Sequence, residues 1–139
     1  MIVEASSENP EYYRRAASRF RGADGDLEFL SAPETLALLS IDGDDVVGWC
    51  WGHYLLRPDG ASMMYLHELE VAKTHRDGGR GHELLTAFMD AARRRGASRL
   101  FLTTGSDNLP ARRLYERLGG ELATQGPTVN YWFALDSDT

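Results

Sequence analysis

Between Tyr65 and Ala97 the chain reads YLHELEVAKTHRDGGRGHELLTAFMDAARRRGA, and within those residues the apolar spacing changes from that of a strand to that of a helix. The joint is Arg76-Asp77-Gly78-Gly79-Arg80-Gly81. Glycines at 78, 79 and 81 carry no Cβ, so the backbone turns tightly and successive N–H groups can converge on an anion. The helix that follows adds its unpaired first-turn donors and the positive end of its dipole. A pyrophosphate is the natural guest. Two familiar phosphate loops do not fit. A Walker loop needs Lys-Ser or Lys-Thr after its last glycine, and here Gly81 is followed by His82-Glu83. A dinucleotide fingerprint needs a small residue where Leu84 stands.

The elements on either side of this joint are legible from pattern. Ile2 to Ala5 is a short strand, and Pro10 to Arg21 a helix with Glu11 in its first turn, followed by a loop from Gly22 to Asp26. Leu36 to Ile41 and Val46 to Leu55 flank Asp42-Gly43-Asp44-Asp45, a hairpin signal. After the turn Pro58-Asp59-Gly60, Met63 to Ala72 gives the third strand of an antiparallel meander. From Gly81 a stripe of Leu84, Leu85, Phe88, Met89 and Ala92 marks a helix closed by Gly96. Leu100 to Thr104 is the next strand, and a strand–helix–strand crossover sets it parallel to Met63–Ala72. Asn108 caps a helix with Pro110 in its first turn and Ala111, Leu114, Tyr115 and Leu118 on one face, ended by Gly119-Gly120. Glu121 to Thr124 and Val129 to Leu135 are two further strand candidates that complete a mixed sheet.

At 139 residues, this is one domain, residues 1–139, with room for a single substantial core. Hydrophobic content of 42% and charged content of 26% are ordinary for a soluble globular protein. The one cysteine, Cys50, has no partner for an internal disulfide, which fits a reducing compartment. No secretory leader and no apolar stretch of membrane-spanning length is present, so the expected location is cytoplasmic, with no membrane partner. A net charge of −6 argues against nucleic acid. The charge is uneven: residues 1–70 carry −8 and residues 71–139 carry +2. An anionic cofactor suits the second half and a cationic substrate the first.

The pattern Arg76-x-x-Gly79-x-Gly81, preceded by Glu68-Leu69-Glu70-Val71, resembles the acetyl-coenzyme A loop of the GCN5-related N-acetyltransferases. Asn108-Leu-Pro-Ala-Arg-Arg-Leu-Tyr115-Glu-Arg-Leu-Gly-Gly120 is similar to that superfamily's second signature. Two motifs in the right order, one strand apart, support each other. The order of elements is also that of the superfamily, and the resemblance spans nearly the whole chain. It implies an α+β (mixed α/β) fold, a mostly antiparallel mixed sheet with a parallel central strand pair opening into a wedge, flanked by helices. Phe29-Leu30-Ser-Ala-Pro33, the Asp-Gly turn with Val-Val-Gly48 and the Glu-Leu-Glu-Val lead-in look most like the small aminoglycoside 3-N-acetyltransferases.

The function implied is acetyl transfer from acetyl-coenzyme A, without a metal, to a primary amine of a small polycationic substrate, with an aminoglycoside as first guess. A peptide N-terminus, a lysine or a polyamine is the alternative acceptor, and a non-catalytic acyl-coenzyme A binding domain the alternative function. A homodimer is one option for its assembly. Acetyl transfer needs a held thioester, a neutral amine, oxyanion donors and a proton for the departing thiolate. The expected cofactor contacts are Arg76, Asp77, Gly78, Gly79, Arg80, Gly81 and His82 at the pyrophosphate, Leu69 and Val71 along the pantetheine arm, and Asn108, Ala111 and Tyr115 from the second motif. The Val71 N–H is the oxyanion candidate and Tyr115 the acid. Glu68 is the favoured base, with Glu70 on the same strand face by period two and His67 on the opposite one. Glu70, His67 and Asp107 join Glu68 as substrate contacts. Two residues depart from the family pattern. Asp77 puts an acid beside the presumed pyrophosphate, and Arg80 replaces an apolar residue, where it either adds a phosphate contact or faces water.

Overall fold

The computed structural model describes residues 1–124 and 126–136. Five strands form one sheet in the order β1-β2-β3-β4-β5, with β1 at Ile2–Glu4, β2 at Thr35–Asp42, β3 at Asp45–Leu56, β4 at Ser62–Val71 and β5 at Arg99–Phe101. The first four run antiparallel, and β4 and β5 are parallel. The helix α3, Arg80–Arg94, connects that parallel pair. Asp42 pairs directly with Asp45, so Gly43 and Asp44 alone make the β2–β3 turn, and Gly43 takes a φ of 62° there.

Helices cover both faces of the sheet. On one, α3 buries Leu84, Leu85, Phe88, Ala91 and Ala92 against Leu36, Leu38, Cys50, Met64 and Leu66, with Leu114 and Tyr115 of α4 (Leu109–Arg117) and its C-cap Leu118 packed at the margin. On the other, α1 (Glu11–Arg21) sets Tyr13, Ala16 and Ala17 against Leu39, Ile41, Val46 and Trp49. Cover on both faces explains why β2 is buried almost end to end rather than alternating. A short helix, α2 at Leu27–Ser31, lies where the sequence offered no element. Asp26, expected to be loop, caps it by accepting from the Glu28 N–H at 2.9 Å. α2 carries Phe29 to Tyr13, a stacked pair with centroids 5.7 Å apart.

Apart from α2, the order and type of the named elements through α4 follow expectation, and two further differences matter. The strand expected over Leu100–Thr104 is shorter, because pairing with β4 stops at Tyr65–Phe101. The strands expected over Glu121–Thr124 and Val129–Leu135 are not formed among the described residues. Val129, Tyr131, Trp132, Phe133 and Leu135 stand 75–96% exposed. Alternating apolar residues supply strand propensity, but a strand exists only where a ladder partner accepts it; a three-residue β5 offers little ladder. The parallel pair therefore sits at the margin of the described sheet.

β4 is broken by a bulge. Trp51 pairs with Glu68 and Gly52 with Leu66, which leaves His67 as the extra residue. Gly52 makes this possible: a Cβ there would overlap the Tyr65 carbonyl. We expect Gly52→Ala to destabilise the fold by about 1–3 kcal/mol, the range for forcing atoms into a filled site, read as a shift in urea midpoint. A midpoint equal to wild type would show that the two strands separate without cost.

Candidate functional site

The bulge decides which way the next four side chains face. Beyond it the phase of β4 is reset, so His67 and Glu68, neighbours in sequence, both reach Trp51. His67 stacks on the Trp51 ring, with centroids 4.5 Å apart and planes 11° from parallel. Glu68 Oε2 accepts from the Trp51 indole N–H at 3.3 Å. The expectation that His67 lies across the sheet from Glu68 and Glu70 is thus corrected, since period-two alternation fails at an extra residue. Trp51 is held by further edge contacts to Phe29 and His53. Nothing in the sequence marked Trp51, although an isolated glycine within a strand pattern, here Gly52, is a bulge signal.

Past Tyr65 and Phe101 the two parallel strands part. The gap is a cavity of about 220 Å³ lined by residues 66–69 of β4, residues 102–104 after β5, and Asn108, Ala111 and Tyr115 of the α4 region. Ladder phase settles which backbone groups of β4 turn toward it. The Ala72 N–H donates to the Val47 carbonyl at 2.8 Å, so Gly48 and Val71 form a non-bonded pair, as do Cys50 and Leu69 two residues back. The N–H groups of Leu69 and Val71 therefore point away from β3, toward the gap.

Tyr115 is half-buried at the far wall, and burial is the main cause that pushes its phenol above the ordinary range. Among the described residues its hydroxyl has no hydrogen-bond partner. Asn108 does two things: its Oδ1 accepts from the Ala111 N–H at 3.4 Å as the α4 cap, and its Nδ2 donates to Thr104 Oγ1 at 3.3 Å. Asp107 is exposed in the preceding loop and does not line the cavity.

The glycine loop sits at the C-terminal end of β4. Gly79, at φ 86°, is the N-cap of α3, and no side chain caps that end. The Glu83 N–H already bonds the Gly79 carbonyl at 3.0 Å, which leaves the N–H groups of Gly79, Arg80, Gly81 and His82 without a helical acceptor. A Cβ on Gly79 would meet nothing within 4 Å, so the approach to these donors is open. Gly81 serves differently: its missing Cβ would stand 3.3 Å from Leu114 Cδ2, and this glycine lets α3 close on α4. The donor set and the open approach fit a pyrophosphate, and the gap beyond fits the thioester arm of acetyl-coenzyme A.

The arginines of the loop are committed inward. Arg76 Nε donates to the Val71 carbonyl at 2.9 Å. Arg80 donates to Ser40 Oγ at 3.2 Å and pairs with Asp42 at 3.6 Å, where His75 also bonds Asp42 at 3.1 Å. Arg80 thus ties the loop to the end of β2. Asp77 takes a φ of 66°, an uncommon conformation that Asp and Asn tolerate best.

Two carboxylates lie on the Trp51 face. Glu68 is 16% exposed in its side chain and pairs with Arg21 at 3.2 Å. Glu70 has its pKa raised, by burial first and by the Glu68 charge second, against lowering by Arg76 and Arg21. Among the described residues no cluster of three or more His, Cys, Asp or Glu is placed to hold a metal, and no helix is long and apolar enough to cross a membrane.

Residues 3–120 match the acetyltransferase (GNAT) family. The chain belongs to that family. It is 41% identical over 81 residues to N-alpha-acetyltransferase 40 of Saccharomyces cerevisiae, covering 50% of this chain and 28% of that protein. It is 30% identical over 82 residues to the uncharacterized N-acetyltransferase YycN of Bacillus subtilis, covering 58% of this chain and 51% of the relative. The aligned regions thus span about a quarter and about half of these relatives' lengths. In fold it is similar to an aminoglycoside acetyltransferase from an uncultured soil metagenomic sample, solved with trehalose, at a TM-score of 0.81 and 15% identity over 98% of this chain and 96% of that one. A ribosomal-protein-alanine N-acetyltransferase from Brucella melitensis biovar Abortus 2308 superposes at 0.73 and 18% identity, over 94% and 99% of the two chains.

If the α3 terminus holds the pyrophosphate, Asp77 opposes it. Asp77→Asn keeps the left-handed backbone and removes the charge, and should tighten acetyl-coenzyme A binding about two- to fivefold, the worth of one charge at a helix terminus. Calorimetry at low and high salt measures this. Equal affinities at low salt would remove the phosphate from the neighbourhood of residue 77.

Proposed function

We propose that this chain transfers the acetyl group of acetyl-coenzyme A to a primary amine of a small polycationic acceptor, an aminoglycoside in the first instance, by direct attack in a ternary complex. The observation that carries this reading is the gap between β4 and β5, with strand N–H groups and Tyr115 on its walls and Glu68 at its mouth. Acetyl-coenzyme A supplies an activated thioester when bound. The N–H groups of residues 79–82 hold its pyrophosphate, with Arg76 and Arg80 shaping the loop from behind. Leu69 and Val71 hold the arm in strand fashion, and the Val71 N–H donates to the oxygen on which negative charge develops.

Tyr115 gives its proton to the departing sulfur. Burial keeps the phenol protonated at neutral pH, so its proton is at hand as negative charge develops on the sulfur beside it. The two carboxylates divide the work on the acceptor. Glu68, bonded to an indole N–H and an arginine, holds the acceptor's positive charge. Glu70, with its raised pKa, is poised nearer to neutrality and takes the proton from the attacking amine. His67 lies against the acceptor as part of the aromatic wall.

A peptide N-terminus is the second reading of the acceptor, favoured by the 41% identity to N-alpha-acetyltransferase 40. Thiol release from acetyl-coenzyme A in the presence of sisomicin, spermidine or an alanine-initiated peptide separates the two. Coenzyme binding with no amine-dependent release would point to a regulatory domain instead.

Tyr115→Phe keeps the packing and removes the hydroxyl, and should lower kcat by about 10²–10⁴ with little change in acetyl-coenzyme A affinity. A wild-type kcat would make Tyr115 a wall residue only. For Glu70 the sign is fixed by the direction of its shift. As pH falls through a carboxylate pKa raised above the usual range, the base is protonated and kcat/KM drops on an acid limb. Glu70→Gln should lower the rate and erase that limb; a mutant retaining the limb assigns it to another group.

A further inference from the structure

Arg21 is the last residue of α1 and reaches across to the sheet, where its guanidinium lies 3.2 Å from Glu68 Oε1. The other oxygen of Glu68 is taken by Trp51, whose ring is fixed by His67 on its face and by Phe29 and His53 at its edges. The indole cannot leave without unpacking that cluster. Arg21 can. Its side chain is 56% exposed against 16% for Glu68, and Glu68 is its only ion pair or hydrogen bond among the described residues, with Glu70 near enough to feel its charge. A long, exposed side chain with a single contact gains little from it. When released, the guanidinium still lies beside the C-terminal carbonyls of α1, where positive charge is favoured.

From this geometry we infer that Arg21 stands in for a cationic centre of the acceptor, so that an acceptor is recognised by replacing Arg21 at Glu68 Oε1 with its own ammonium. The inference rests on the proposed acetyl transfer and narrows its substrate class. An ammonium held by Glu68 in an ion pair keeps its proton and cannot attack. The amine that attacks must therefore be a second one on the same molecule, reaching the gap between β4 and β5 that Glu68 borders. The acceptor thus carries at least two cationic nitrogens. Its body lies along the exposed His67 ring, which continues through Tyr65 to Phe101 as a line of aromatic contacts, with centroids 5.3 and 5.7 Å apart. A monoamine that displaces Arg21 has no second amine left to attack, and a neutral or anionic molecule has no cation with which to displace it.

Arg21→Gln removes the competitor. Calorimetric titration with sisomicin and with spermidine should show binding about two- to fivefold tighter than wild type, the amount an exposed ion pair withholds. For whichever of these turns over, the gain should appear in KM for the amine and not in KM for acetyl-coenzyme A. Arg21→Lys, which returns a charge to the same reach, should restore wild-type values. Arg14→Gln removes one charge from α1 at a residue paired locally with Glu11, and should leave amine affinity alone, which separates displacement from a general change in field. The alanine-initiated peptide, with a single amine and no other cation, should gain nothing in kcat/KM from Arg21→Gln. Weaker polyamine binding in Arg21→Gln, an equal effect of Arg14→Gln, or no binding of either polyamine to wild type or mutant overturns the inference. Thiol release that never depends on an added amine, in a protein whose polyamine binding still tightens in Arg21→Gln, would sink the acetyl-transfer reading and leave the recognition intact.

Discussion

Two strands that pair evenly along their length leave no room between a third strand and its neighbour. Between β3 and β4 the evenness fails at one place, where Gly52 faces Leu66 and His67 is left over. The glycine is required because the Tyr65 carbonyl occupies the place of a side chain. Pairing of β4 with β5 stops just before this point and the cavity opens, and the bulge sets the phase of every later residue on β4: Leu69 and Val71 offer backbone to the gap while Glu68 and Glu70 share the Trp51 face. The backbone that faces the gap and the two carboxylates are thus separated by the pleat of one strand.

The glycine loop and the bulge are coupled through the same strand. Arg76 bonds the carbonyl of Val71, and Arg80 ties the start of α3 to Ser40 and Asp42 at the end of β2. Both arginines therefore fix the spacing between the α3 terminus and the two backbone groups that border the gap. A loop with three glycines is flexible as a sequence, and these side chains restrict it. Their charge still contributes to the field at the helix terminus, while their geometry does the holding.

Much of this was legible in the sequence, and the limits have physical causes. The Asp-Gly turn, the α3 stripe and the Asn108 cap are local signals, and the structure has each where expected. The bulge was missed because it is a relation between two strands; only Gly52 hinted at it. α2 was missed because five residues carry too little periodicity, though Asp26 two residues before Glu28 had the chemistry of a cap. The final strands were expected from alternation alone, and alternation does not say whether a ladder partner is present. Arg80 was read as a choice between phosphate and water because its partners, Ser40 and Asp42, lie 40 and 38 residues away. Which carboxylate has the raised pKa depends on burial, which no spacing rule reports.

Cys50 lies beneath the same machinery, fully buried between β3 and α3, with its sulfur 3.8 Å from the Leu84 carbonyl. Burial pushes its thiol far above the ordinary range, so at neutral pH it stays protonated. Disulfide exchange and alkylation proceed through the thiolate. A site that releases a thiol at each turnover, as proposed for this one, runs the hazard of trapping its own product as a mixed disulfide. With its single thiol sealed and neutral, this domain offers the released thiol no partner, and its activity should be indifferent to oxidised coenzyme A and to thiol reagents under native conditions.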